Sequence, residues 1–165
     1  MAIKTAKAEH RRLRFKTLAD ARLELDNLER AHRAGTLRTT GNWTPGQNLA
    51  HIAAFIRYAY EGYPPELQSP PWILKVIARL FKRQLLNTPL MRGVNIGKIP
   101  GGTVGAVEMP FDEAVSLLRG QYDRLQFTEP KVANPLLGVG NLTHEEWIKM
   151  HLRHSELHLG YLQPV

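Results

Sequence analysis

The chain of 165 residues contains no cysteine, which excludes a disulfide framework, thiolate metal ligands and a cysteine nucleophile. Any thiol chemistry must therefore use an external thiol. No apolar run reaches the roughly 18 residues that a membrane span requires. The opening, Met1-Ala2-Ile3-Lys4-Thr5-Ala6-Lys7, is too polar for a secretory signal. These absences set the expectation of a cytoplasmic protein with no membrane partner. No strand pair is convincing in the apolar pattern, so no sheet of consequence is expected. The basic clusters lack aromatic stacking pairs and any readable groove-binding motif, which argues against nucleic acid.

What is present suits a single globular domain. Hydrophobic residues make up 43% and charged residues 22% of the chain, enough to bury a core without staples. The net charge of +7 is concentrated in Lys4, Lys7, Arg11, Arg12, Arg14 and Lys16, and again in Lys75, Arg79, Lys82 and Arg83. Residues 1–14 are expected as a loose basic arm and residues 15–165 as one helical domain.

Helical periodicity runs through every long segment. Phe15, Leu18, Ala21, Leu25 and Leu28 recur at spacings of three and four, and Gly35 stops the pattern. A second helix opens at Thr44-Pro45-Gly46-Gln47, a capping box with proline at the first helical position, and ends at Tyr63-Pro64-Pro65. Residues 70–81 predict a third helix, apolar with a basic face, expected to pack on the domain rather than on a membrane surface. The glycine- and proline-rich stretch from Asn87 to Met109 contains Gly93-Val94-Asn95-Ile96-Gly97-Lys98-Ile99. That run lacks one residue between the glycines and has no Ser or Thr after the lysine, so it is no phosphate loop. A loop this long is expected to arch over the domain and wall a pocket. Pro110-Phe111-Asp112-Glu113 opens a fourth helix, with two acids where the helix dipole favours them. Thr143 and Glu146 form a second capping box ahead of a last helix expected to run to Leu162. His144-Glu145 is not a zincin signature, because Ile148 stands where the second histidine belongs.

The last helix carries the chemistry. His151, His154 and His158 fall within an arc of roughly 60° at about 100° per residue. Apolar residues flank that arc, while Glu145, Glu146, Lys149, Arg153 and Glu156 gather on the face expected to meet solvent. The histidines therefore point into the core, where an imidazole without a partner costs free energy. A divalent metal would be a collective partner, because neutral imidazole is its commonest protein ligand. His51, about two turns into the second helix, can face the core as well, with Gln47 and Tyr58 placed to orient it. His51 with a histidine pair on the last helix makes a three-nitrogen site with open positions for water or substrate. His10 and His32 are expected at the surface. The fold class is all-α, an up-and-down four-helix bundle with an accessory helix and long crossover loops.

The segment Trp43-Thr44-Pro45-Gly46-Gln47-Asn48-Leu49-Ala50-His51, followed near the end by Leu142-Thr143-His144-Glu145-Glu146-Trp147 and by His151, His154 and His158, resembles the DinB/YfiT-like metalloenzymes. More narrowly, it is similar to a branch of them described only as a domain of unknown function. The resemblance runs from about Arg14 to Leu162 and is specific at its two ends. It implies a bundle, often a homodimer, with a divalent metal (Zn, Ni or Fe) held by His51, His154 and His158. His151 would then lie beside the metal as a catalytic group, a proton shuttle or a contact to substrate. It stands about 20° from His158 on the wheel, so it is also an alternative ligand to His154. Many members of the branch carry His-Pro where this chain has Asn134-Pro135. Relatives in the superfamily include transferases and isomerases that use a low-molecular-weight thiol, which implies a small-molecule substrate here. A different reading keeps the metal or the cluster as the fastening of a non-catalytic binding or stress-related module.

Overall fold

The structure is a computed structural model that describes residues 3–65, 67, 71–93, 105–135 and 142–165. It is mostly helical, with one small two-stranded sheet among the described residues. In chain order the elements are α1 (Leu18–Arg33), β1 (Leu37–Thr39), α2 (Pro45–Glu61), α3 (Trp72–Leu80), α4 (Lys82–Asn87), α5 (Phe111–Phe127), α6 (His144–Leu159) and β2 (Leu162–Pro164). From Val94 onward, the run compared with a phosphate loop lies outside the described residues.

Capping chemistry fixes three of the helix starts. Thr44 with Gln47 and Thr143 with Glu146 form the expected reciprocal boxes, satisfying backbone N–H groups that have no helical partner. A third box joins Thr17 to Asp20 at the start of α1. Its shorter acid sits outside the usual Glu/Gln pattern, and the helix starts three residues later than the apolar spacing from Phe15 suggests.

Helices α1, α2, α5 and α6 share one core. Leu25, Leu28, Leu49, Ile52, Ile56, Leu118, Tyr122, Leu125, Trp147 and Leu152 are buried together in it, each aliphatic side chain contributing roughly 1.5–3 kcal/mol on burial. The starts of α2 and α5 lie together: a Cβ on Gly46 would stand 1.9 Å from the Met109 carbonyl oxygen, so only glycine permits the approach. Their far ends also meet, where the Tyr60 hydroxyl donates to Thr128 O at 2.7 Å and the Val132 N–H to Ala59 O at 3.1 Å. These two helices therefore run in the same direction, and the strict alternation expected of neighbouring helices gives way to a crossover between them. Helix α6 runs the opposite way, its first residue His144 bonding Leu125 O at the end of α5 (2.6 Å). That alignment sets the start of α2 against the end of α6.

Three other expectations are corrected. The last helix ends at Leu159, after which Leu162–Pro164 pair antiparallel with Leu37–Thr39. A pair of three-residue strands about 125 positions apart leaves no periodicity to read. Residues 3–14 are not loose: the Arg11 N–H donates to Gly160 O (2.9 Å), His10 Nε2 bonds Leu157 O (2.9 Å) and the Arg11 guanidinium pairs with Glu24. Arg153 and Glu156 are buried rather than solvated, because Phe15 covers them. Its N–H donates to the Glu156 carboxylate, its carbonyl accepts from Arg153, and the two charged groups pair at 2.8 Å. Burial pushes the Glu156 carboxyl up, while the Phe15 N–H and Arg153 draw it back down.

Candidate metal centre

The site forms where the first turns of α2 face the last turns of α6. The Thr44 box and Pro45 fix where α2 begins, which places His51 inward on its second turn. The i,i+4 spacing of His154 and His158 stacks the other two rings on one face of α6. His51 is buried, and His154 and His158 are half-buried. One nitrogen from each of the three rings can be chosen so that all lie within 4.8 Å of one another. His51 Nε2 and His154 Nε2 stand 3.2 Å apart. Two imidazole nitrogens each about 2.0–2.1 Å from one ion, at a near-tetrahedral angle, are separated by roughly 3.3 Å. The three rings could hold a metal ion.

Aromatic packing walls the cluster. Trp43 stacks on His158 with centroids 5.4 Å apart and lies 5.0 Å from His51. Phe55 covers His51 at 4.6 Å and His154 at 4.8 Å. Gly105, with φ +80°, passes over the far side: a Cβ there would lie 2.7 Å from Ala54 Cβ, 3.3 Å from the Tyr58 hydroxyl and 3.8 Å from His51 Nδ1. The end of the long loop thus passes close to the site, and Tyr58 reaches the neighbourhood of His51, while residues 94–104 of the stretch expected to arch over the domain lie outside the described residues. Gln47 has another use, its side-chain oxygen accepting from the Thr44 N–H.

Packing strips water from the two α6 rings and holds them neutral. His154 and His158 titrate well below the usual histidine range, first through desolvation and then through neighbouring imidazoles. Neutral imidazole is the form that ligates metal. His154 Nδ1 has no hydrogen-bond partner among the described residues.

His151 lies outside the three-ring group. It is 1% exposed, stacks on Trp147 at 5.7 Å, and neither of its ring nitrogens has a hydrogen-bond partner among the described residues. Burial lowers its pKa to about 3. It is His154, not His151, whose ring nitrogen meets that of His51. The remaining histidines are used elsewhere: His10 sits edge-on to Tyr161 (4.7 Å), exposed His32 stacks on Phe111 (4.2 Å), and His144 caps α5. His32 and Phe111 line a cavity of about 400 Å³ between the starts of α2 and α5, with Thr44, Gly46 and Glu108, apart from the three-histidine cluster. Asn134 is buried and donates to Met150 Sδ (3.1 Å).

Sequence reasoning quoted Trp43 only at the head of the segment that ends in His51 and gave it no place against the site rings. Trp43 directly precedes the Thr44 cap, and a tryptophan preceding the cap of a histidine-bearing helix was the available signal.

No curated protein and no solved structure compared with the chain matches it. Residues 7–165 match the family described as protein of unknown function (DUF1569), and with nearly the whole chain covered, the chain belongs to that family.

Proposed function

We propose that the chain is a divalent-metal-dependent enzyme of the DinB/YfiT-like kind, a four-helix bundle in which His51, His154 and His158 hold the ion. Its substrate is a small molecule and its reaction a transfer that uses a low-molecular-weight thiol. The observation that carries the reading is the 3.2 Å approach of His51 Nε2 to His154 Nε2, with one nitrogen from each of these rings and from His158 lying within 4.8 Å of one another. The neutral rings of His154 and His158 beside His51 offer nitrogens that one ion would bridge, and an all-nitrogen set suits Zn, Ni or Fe. Such an ion, when bound, supplies Lewis-acid activation that acidifies a ligated water or thiol to near neutrality.

The chain's own residues support the rest. Trp43 and Phe55 exclude water from two sides and fix the ring orientations. His154 and His158, half-buried, leave the centre an approach from outside. His151, one turn before His154, offers two ring nitrogens that no described residue engages. With its pKa near 3 it is a weak proton acceptor at neutral pH. Its part in this reading is to hold a polar group of the substrate rather than to shuttle a proton.

Elemental analysis of protein purified without a His-tag tests the proposal. About one divalent ion per chain is expected, lost on His51→Ala, His154→Ala or His158→Ala and kept on His10→Ala, His32→Ala or His144→Ala. Stoichiometric metal in the His51→Ala, His154→Ala double variant would overturn it. Cobalt-loaded protein then separates enzyme from fastening. A visible spectrum that shifts with a small thiol shows an open position, and one that ignores thiol and azide alike favours the non-catalytic module.

A further inference from the structure

Helix α3 is turned inside out. On a wheel of about 100° per residue, Trp72, Ile73, Val76, Ile77, Leu80 and Phe81 span roughly half the circumference, and all six are exposed, Trp72 by 74% and Leu80 by 76%. The least exposed described side chains of the helix are Lys75 and Ala78, on the opposite side. A helix that packs on its domain buries its apolar arc. In this one the other face is only half-buried and the hydrocarbon is presented outward.

Charge accompanies the apolar face. From Leu67 to Val107 the sequence has no Asp or Glu, while it carries Lys75, Arg79, Lys82, Arg83, Arg92 and Lys98. Six of the chain's net seven positive charges therefore fall in this one segment. Arg79 borders the apolar arc on α3 itself, and Lys75, half-buried, stands about 40° further round. Lys82, at the start of α4, pairs with Glu146 of α6 (2.6 Å), fastening the segment to the helix that carries the histidines.

We infer that α3 docks on the surface of an anionic phospholipid bilayer, lying in the interface with its six apolar side chains inserted and its cations against the headgroups. An interfacial helix combines an apolar face, flanking Lys and Arg, and Trp at the headgroup level, and α3 has all three. It replaces the expectation that this helix packs on the domain and meets no membrane. No helix among the described residues is long and apolar enough to cross a bilayer, so the contact is to one leaflet. A second copy of the chain fits less well, since it would set one six-cation segment against another. Nucleic acid would meet hydrocarbon where it needs donors. The inference stands apart from the metal reading.

Co-sedimentation of the full chain with vesicles of phosphatidylglycerol and phosphatidylcholine, against vesicles of phosphatidylcholine alone, tests it. At low ionic strength the protein is expected on the anionic vesicles only, with a blue shift of tryptophan emission that Trp72→Phe removes. Lys75→Gln with Arg79→Gln weakens binding about 30-fold, and Ile77→Glu with Leu80→Glu abolishes it. The same charge removed at exposed Arg12 and Arg30 leaves most of the binding. All these side chains are exposed except half-buried Lys75, and circular dichroism checks that the variants stay folded. Wild-type protein left in the supernatant with anionic vesicles overturns the inference. So does duplex DNA binding that survives Ile77→Glu with Leu80→Glu, or a dimer that those two changes split while no vesicle is bound.

Discussion

Helices α6 and α3 depart from the ordinary distribution of side chains in opposite directions. Helix α6 takes polar rings inside, with His151 buried beside Trp147 and His154 and His158 packed against His51. Helix α3 leaves apolar side chains outside. Both arrangements cost free energy in water alone, the first through the His151 nitrogens and His154 Nδ1, which have no hydrogen-bond partner among the described residues, and the second through exposed hydrocarbon. Each therefore points to a partner of the chemistry its face lacks: an electrophile for the nitrogens, a lipid surface for the hydrocarbon.

The comparison breaks most visibly at His51. Its replacement by Ala should lower metal affinity by more than about a hundredfold, since even outer hydrogen-bonding partners of a ligand are worth 10–100-fold; competition with a chromogenic chelator measures it. The next effect is on acid stability in the metal-free protein. His151 titrates near pH 6.5 when unfolded and near 3 when folded, so between those values the unfolded chain binds more protons. Stability must then fall as pH falls below about 6.5, by about 1.4 kcal/mol per pH unit from this residue. Urea titrations at pH 7 and pH 5.5 should show that slope reduced in His151→Leu. At neutral pH His151→Leu should raise stability by about 1–3 kcal/mol, because an orphaned buried polar group disappears. Thermal denaturation reads the gain, and turnover lost in the same variant would mark a ring kept for substrate at the expense of stability. The smallest effect belongs to α3, where Leu80→Gln should change stability by less than about 0.5 kcal/mol. Leu152→Ala in the core, by contrast, should cost about 2–5 kcal/mol.

Much of this contrast was legible in the sequence. Thr44-Pro45-Gly46-Gln47 and Thr143-His144-Glu145-Glu146 announce their helices through local bonds, and the inward side of the histidine stripe follows from its apolar flanks. His51, His154 and His158 came together as their spacing and the family resemblance implied. What escaped depends on which segments meet. The solvent face assigned to Arg153 and Glu156 is covered by Phe15, some 140 residues earlier, and no periodicity within α6 encodes that cover. The apolar arc of α3 was visible, but an arc does not say which way it faces. The shared direction of α2 and α5 rests on contacts between their ends, such as Tyr60 with Thr128, which no single helix records.

The clasp around the end of α6 also bears on how the molecule comes to exist. Arg11 reaches Gly160 and Leu162, His10 reaches Leu157, and β1 pairs with β2, all contacts between residues more than a hundred positions apart. Closing such loops is entropically costly and comes late. The turns that carry His154 and His158 would thus be among the last parts of the chain to become ordered, and the three nitrogens would meet only as folding finishes. A folding chain would then display metal-binding geometry as a sign of completion, and stopped-flow uptake of cobalt during refolding should lag behind the recovery of helical signal.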